Sequence, residues 1–137
     1  MTDDGRRWAM RAAAIVLWLN GLGFGLFALF PLWSLSTGGG IPIVMGFPTY
    51  GGGPFEQHGV PTSIPLVLLF LAVCVAEVVA GALLWRGRRA GGVLGLVLVL
   101  PGAVFWWGFA LPVGPVLAVA RVALIAWAWP ALRSTSG

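Results

Sequence analysis

The sequence has few charged residues. Only 9% of its 137 residues are charged, and none of them is lysine. A soluble domain of this length usually carries about a quarter charged residues, and it could not hide a chain that is 59% hydrophobic. The composition therefore indicates a protein that lies in lipid. The net charge is +4, and all eight basic residues are arginines. These lie at the ends of the apolar runs, with one inside a run, so we expect no nucleic-acid partner.

The sequence also lacks the side chains of the common catalytic and metal sites. Its single cysteine, Cys74, excludes an intramolecular disulfide and a CxxC pair. Its single histidine, His58, has no second histidine or cysteine to complete a metal site. No Ser/His/Asp set, paired carboxylates or phosphate-binding glycine loop is visible. We therefore predict a protein that is not an enzyme and that holds no cofactor and no metal.

What the sequence does contain is four long apolar runs. At about 1.5 Å per residue, each is long enough to cross a hydrocarbon core about 30 Å thick. They predict a single all-α membrane domain over 1–137, a bundle of four transmembrane helices. The predicted segments are helix 1 at about 12–33, an outer loop at 34–63, helix 2 at about 64–85, helix 3 at about 90–111 and helix 4 at about 113–130. A signal peptide is the competing interpretation of the first run, but the run is longer than the usual apolar core of such a peptide.

The arginines predict an orientation. On one side of the four-span arrangement lie Arg6, Arg7, Arg11, Arg86, Arg88, Arg89 and Arg133. Because positive residues stay in the cytoplasm, we expect both termini there and the 34–63 loop outside. Tryptophans prefer the membrane interfaces, and Trp33, Trp106 and Trp107 are expected at the outer one. The Arg-, Gly- and Ala-rich, lysine-free composition suggests a multi-pass protein of a bacterial inner membrane.

The long loop between helices 1 and 2 is rich in proline and glycine but is not polar. A disordered linker would carry more charge, and a loop of this length is usually functional or disordered. We predict a partly ordered cap over the outer end of the bundle. Its candidate residues are Tyr50, Phe55, Glu56 and His58.

Three polar side chains lie deep inside the apolar runs. Counted from the nearest basic residues, Asn20 and Glu77 are each about 13.5 Å along the helix, and Arg121 is about 18 Å along. All three could lie near the bilayer midplane, where an isolated charge costs at least about 2.5 kcal/mol. We therefore predict that Glu77 pairs with Arg121. This pair is either a ligand site or a structural ion pair, and the sequence leaves both interpretations open.

A proline interrupts the third run at a similar depth. Pro101 cannot donate a hydrogen bond to the carbonyl of Val97. Broken helices of this kind form binding sites in transporters, and we regard Pro101 and Gly102 as a candidate hinge.

Two function classes follow. The first is a non-enzymatic binding or accessory protein, with a midplane polar site for a lipid, a small amphiphile or a partner helix. The alternative is a small oligomeric transporter that uses the Glu–Arg site and the proline-kinked third helix. The expected partners are membrane lipids, and either further copies of the chain or another membrane protein.

Overall fold

The computed structural model describes residues 3–40, 43–44, 47–48, 53–109 and 113–133. Its α-helices are α1 (Asp3–Ser36), α2 (Pro54–Gln57), α3 (Ile64–Trp85), α4 (Arg89–Val97), α5 (Val99–Gly108) and α6 (Gly114–Ala128). A 3₁₀ turn, Trp129–Ala131, follows α6. In the α1–α2 connection, β1 (Ile43–Val44) and β2 (Phe47–Pro48) form one short antiparallel pair. The predicted all-α class is confirmed, since this pair is the one departure from helix among the described elements.

Four helical segments of the described chain are long and apolar enough to cross a membrane. They are Asp3–Ser36, Ile64–Trp85, Arg89–Gly108 and Gly114–Ala131. Large apolar side chains such as Leu26, Val75 and Leu100 are exposed on the outer faces of these segments. A water-soluble fold would bury such residues, so these faces fit lipid as the solvent. The predicted four-span membrane protein is confirmed at this level.

The first helix extends beyond its apolar run at both ends. α1 begins at Asp3 rather than near residue 12 and ends at Ser36. Asp3 and Asp4 lie in its first turn, where negative side chains interact favourably with the helix dipole. The apolar run marks the part of α1 that is suited to lipid, and the helix continues into the more polar residues on either side of that run.

The third span consists of two helices. α4 ends at Val97 and α5 begins at Val99, so the interruption lies at Leu98. The break precedes Pro101 by less than one helical turn, which is where a proline disturbs the backbone because it donates no hydrogen bond to the carbonyl four residues earlier.

The bundle has two apolar clusters, one towards each end. One includes Ala13, Leu17, Leu84 and Ile125, and the other includes Ala28, Val67, Phe70, Phe105 and Phe109. The first cluster lies beside the end of the bundle that carries most of the arginines, which we call the basic end. Both clusters draw on α1 and α3, and the stretches of these helices between the clusters carry the polar residues described next.

Chain segments far apart in sequence meet at the basic end. The Arg133 N–H donates to the carbonyl of Gly87 at 2.7 Å, and the Arg89 N–H donates to the carbonyl of Arg133 at 2.8 Å. Gly87 has a φ of +73°, a conformation that glycine adopts without strain. These bonds fix the segment after α6 against the α3–α4 turn.

Candidate functional site

Asn20, Glu77 and Arg121 form one buried cluster, which we call the polar triad. Their exposed fractions are 2%, 1% and 1%. Arg121 Nη1 donates to Glu77 Oε1 at 2.9 Å, and Asn20 Nδ2 donates to Glu77 Oε2 at 2.5 Å. The triad thus joins α6 and α1 through a carboxylate on α3. The structure contains the Glu77–Arg121 contact that the sequence predicts.

Small residues let α1 and α3 approach closely beside the triad. A β-carbon added at Gly21 would lie 2.7 Å from the carbonyl oxygen of Cys74, and one at Gly25 would lie 3.2 Å from Cys74 Cβ. Glycines spaced in this way bring helix backbones together in lipid. Here the contact lies within the chain, and it brings Asn20 within hydrogen-bonding distance of Glu77.

Trp106 covers the arginine of the triad. The Arg121 guanidinium carbon lies 5.5 Å from the centre of the Trp106 ring, an arrangement that stabilises a desolvated cation. Trp106 is only 4% exposed, whereas Trp107 is 57% exposed. The sequence predicts both tryptophans at the outer interface from depth alone, and the structure adds that Trp106 faces the interior of the bundle while Trp107 faces outwards. Depth along a helix says nothing about the face, and adjacent residues point in different directions.

Two glycines make room for the Trp106 ring. A β-carbon at Gly114 would overlap the ring, and one at Gly102 would lie 3.0 Å from ring atom Cζ2. Gly102 of the candidate hinge therefore belongs to the surroundings of the triad through Trp106. The chain contains 21 glycines, so nothing in the sequence distinguishes these two.

We expect the Trp106→Phe substitution to lower the free energy of unfolding by about 1–2 kcal/mol. Phenylalanine binds a cation less well than tryptophan and leaves unfilled space between the two glycines. The measurement is unfolding of the detergent-solubilised protein by titration with a denaturing detergent. Trp33→Phe, at an exposed position of α1, is the control, with an expected change within about 0.5 kcal/mol. Equal effects of the two substitutions would contradict the role given to Trp106.

The triad contains two buried polar atoms without a hydrogen-bond partner, namely Asn20 Oδ1 and Arg121 Nη2. Both oxygens of Glu77 are already engaged. A buried polar group left unpaired costs about 1–3 kcal/mol, and more if it is charged. The triad therefore offers one acceptor and one donor to a further polar group.

The three candidate outer-loop residues that the structure describes lie at the end of the bundle opposite the basic end. The Phe55 ring packs against Phe105 and Phe109 at centroid distances of 6.0 and 5.3 Å. His58 lies 5.6 Å from the Trp107 ring, and its Nδ1 is 2.7 Å from the carbonyl oxygen of Pro54. Glu56 is half-buried on α2, and Tyr50 lies outside the described residues. Phe55 and His58 contact the third span and do not join the triad.

The surface of the described chain has cavities at the basic end and beside two helix pairs. One, of about 470 Å³, lies at the basic end. A second, of about 310 Å³, is an apolar groove between α1 and α3, which we call the α1–α3 groove. It is lined in part by Gly21, Gly25, Cys74 and Val75. The third, of about 350 Å³, lies between α5 and α6. None of the three is lined by a residue of the triad. Within the described ranges, no group of three or more His, Cys, Asp or Glu side chains could hold a metal ion.

Comparisons with known protein families, with curated proteins and with solved structures find no match to this chain.

Proposed function

We propose that this membrane protein acts by binding rather than by catalysis, and that its ligand is a lipid or small amphiphile held next to the polar triad. The observation that carries the proposal is the pair of unpartnered buried atoms, Asn20 Oδ1 and Arg121 Nη2. A ligand hydroxyl could donate to Asn20 Oδ1 or accept from Arg121 Nη2, whereas a ligand carbonyl could only accept from Arg121 Nη2. Pairing in a medium without water is worth more than the same bond at a wet surface.

The α1–α3 groove supplies the apolar half of such a site. It faces lipid, and its lining is apolar along its whole length. Gly21 follows Asn20 in the chain, and Cys74 lies one helical turn before Glu77, so the groove runs along the helix contact that covers the triad. We propose that the apolar part of the ligand lies in the groove and that its polar end points towards Asn20.

A partner helix is the weaker choice for this groove. Helices that associate in lipid use small residues to bring backbones together. Gly21 and Gly25 already contact Cys74 within the chain. A second helix would have to pack on the exposed leucine and valine side chains that border the groove. A flexible alkyl chain can enter the same groove without having to pack a helix backbone on those side chains.

The transporter remains the second candidate because the third span is broken at Leu98. One observation favours binding. The carboxylate of Glu77 is held by a fixed arginine, so it makes a poor mobile carrier.

Two photoreactive probes with the same alkyl chain test the binding site, one ending in a hydroxyl group and the other a pure hydrocarbon. We expect the hydroxyl probe to label the α1–α3 groove of the protein in nanodiscs about fivefold to tenfold more, the equivalent of one hydrogen bond. The Asn20→Leu variant should label equally with both probes. Equal labelling of the wild type would mean that the groove holds only bulk lipid.

Filling the groove is the complementary test. Val75→Trp places a large ring on a groove residue that is 62% exposed, whereas Leu100→Trp does the same at a position that is 74% exposed and lies on α5. We expect the first variant to lose labelling by the hydroxyl probe in the groove and the second to keep it. Retained labelling in both would place the ligand elsewhere.

We also propose that the basic end faces the cytoplasm, in keeping with the positive-inside rule, and that the membrane is a bacterial inner membrane. In a Cys74→Ala background, Arg88→Cys and Gln57→Cys place single thiols at exposed positions near the two ends. A membrane-impermeant maleimide should label the Gln57→Cys variant in intact cells and the Arg88→Cys variant only after permeabilisation. The reverse pattern would invert the proposed orientation.

A further inference from the structure

The cavity at the basic end brings four arginines to one place. Arg7 and Arg11 come from α1, Arg86 from the α3–α4 turn and Arg133 from the segment after α6. Asp3 and Trp85 also line the cavity. With a volume of about 470 Å³, it lies within the range of about 300–1,000 Å³ that is typical of ligand pockets.

Among the described residues, no carboxylate lies within ion-pair distance of the four cavity arginines. Among the residues that the structure describes, the one ion pair is Glu77–Arg121, so Asp3 neutralises none of the four arginines at contact distance. Gathering like charges in one concavity raises the electrostatic energy. The positive-inside rule accounts for arginines on this side of the membrane. It does not account for their convergence, because Arg6 and Arg88 lie on the same side and do not line the cavity.

The backbone that carries these arginines is fixed at two places. Two backbone hydrogen bonds join Arg133 to the α3–α4 turn, next to Arg86 in the chain. The Arg11 guanidinium carbon lies 5.3 Å from the Trp85 ring centre, which restricts that side chain. Guanidinium groups gathered at one cavity present several N–H donors to one anion, and phosphate oxygens match that donor geometry.

We propose that this cavity is a binding site for a phosphate-bearing anion, independent of the polar triad. It lies where α1 leaves its apolar run, which corresponds to the headgroup level of a membrane. The phosphate can therefore belong to an anionic phospholipid or to a soluble phosphate compound. Both sources present the same group to the same arginines.

The test compares two double variants that remove the same charge. Arg7→Gln/Arg86→Gln changes two cavity residues, and Arg6→Gln/Arg88→Gln changes their neighbours outside the cavity. In the lipid arm, each protein is placed in nanodiscs of phosphatidylcholine with a minor fraction of phosphatidylglycerol, and retained phosphatidylglycerol is counted by native mass spectrometry. In the soluble arm, the affinity for inorganic pyrophosphate is measured in detergent.

We expect the cavity variant to lose at least about tenfold in affinity in one of the two arms, since each lost charge-assisted hydrogen bond is worth about that much. The control variant should stay within about threefold of wild type, as expected for screened surface charges. Loss in the lipid arm assigns the site to a headgroup, and loss in the soluble arm assigns it to a free phosphate compound.

Equal losses in the two double variants would overturn the proposal, because they would mean attraction by net charge alone. Unchanged binding in the cavity variant would overturn it too. If the cavity variant yields little folded protein, it is replaced by Arg86→Gln alone, which lies at an exposed position. This single variant is compared with the same control variant in both arms. The triad is untouched by these changes, so failure here leaves the probe experiment in the α1–α3 groove unaffected.

Discussion

The Glu77→Gln and Arg121→Gln substitutions, made singly, are each expected to lower the free energy of unfolding by about 3–5 kcal/mol. Each removes one partner of an ion pair that is 1–2% exposed, which leaves the other charge or its hydrogen-bonding groups buried without compensation. The measurement is unfolding in a denaturing detergent. Single effects below about 1 kcal/mol would mean that the pair does not hold α3 to α6.

The Glu77→Gln/Arg121→Gln double variant completes a thermodynamic cycle. Because neither residue is charged in this variant, we expect most of the stability to return, to within about 1–2 kcal/mol of wild type. A double variant as unstable as the sum of its singles would show that the two side chains do not interact.

Glycine-to-alanine substitutions at two positions of α1 are expected to change stability in opposite directions. At Gly21 the new β-carbon would lie 2.7 Å from a backbone oxygen of α3, and that backbone cannot rotate away as a side chain can. We expect Gly21→Ala to cost about 1–3 kcal/mol, as overpacking does. Separation of α1 from α3 would also lengthen the hydrogen bond from Asn20 to Glu77.

Gly23→Ala is the matched control in the same helix. No atom lies within 4 Å of a β-carbon placed there, and alanine is the better helix former by about 1 kcal/mol. We expect Gly23→Ala to be neutral or slightly stabilising in the same unfolding measurement. If both substitutions destabilise the protein, the cause is a general intolerance of α1 to added side chains and not the contact with Cys74.

The number of spans and the partner of Glu77 could both be predicted from the sequence. A long apolar run can be recognised even where single residues depart from the pattern. The number of runs therefore agrees with the four spans of the structure. The Glu77–Arg121 contact could be predicted because an unpaired charge in lipid is expensive and the two side chains lie at similar depth.

The surroundings of the pair could not be predicted in the same way. Trp106 was expected at an interface, yet it lies over Arg121. Hydropathy predicts only how deep a residue lies in the membrane. The burial of Trp106 also depends on which face of the helix it occupies and on the space left by Gly102 and Gly114. The helix breaks at Leu98 rather than at Pro101, because the hydrogen bond that proline cannot make would have gone to a carbonyl four residues earlier. The proline marks the break only to within a helical turn.

We propose that the polar triad binds a ligand in addition to holding the bundle. The most direct test is the preference for the hydroxyl probe over the hydrocarbon probe, measured in the folded Asn20→Leu variant in nanodiscs. We expect a folded protein whose preference falls from about fivefold or more to none. A folded variant that keeps the wild-type preference would contradict the claim and leave the triad as a structural ion pair alone.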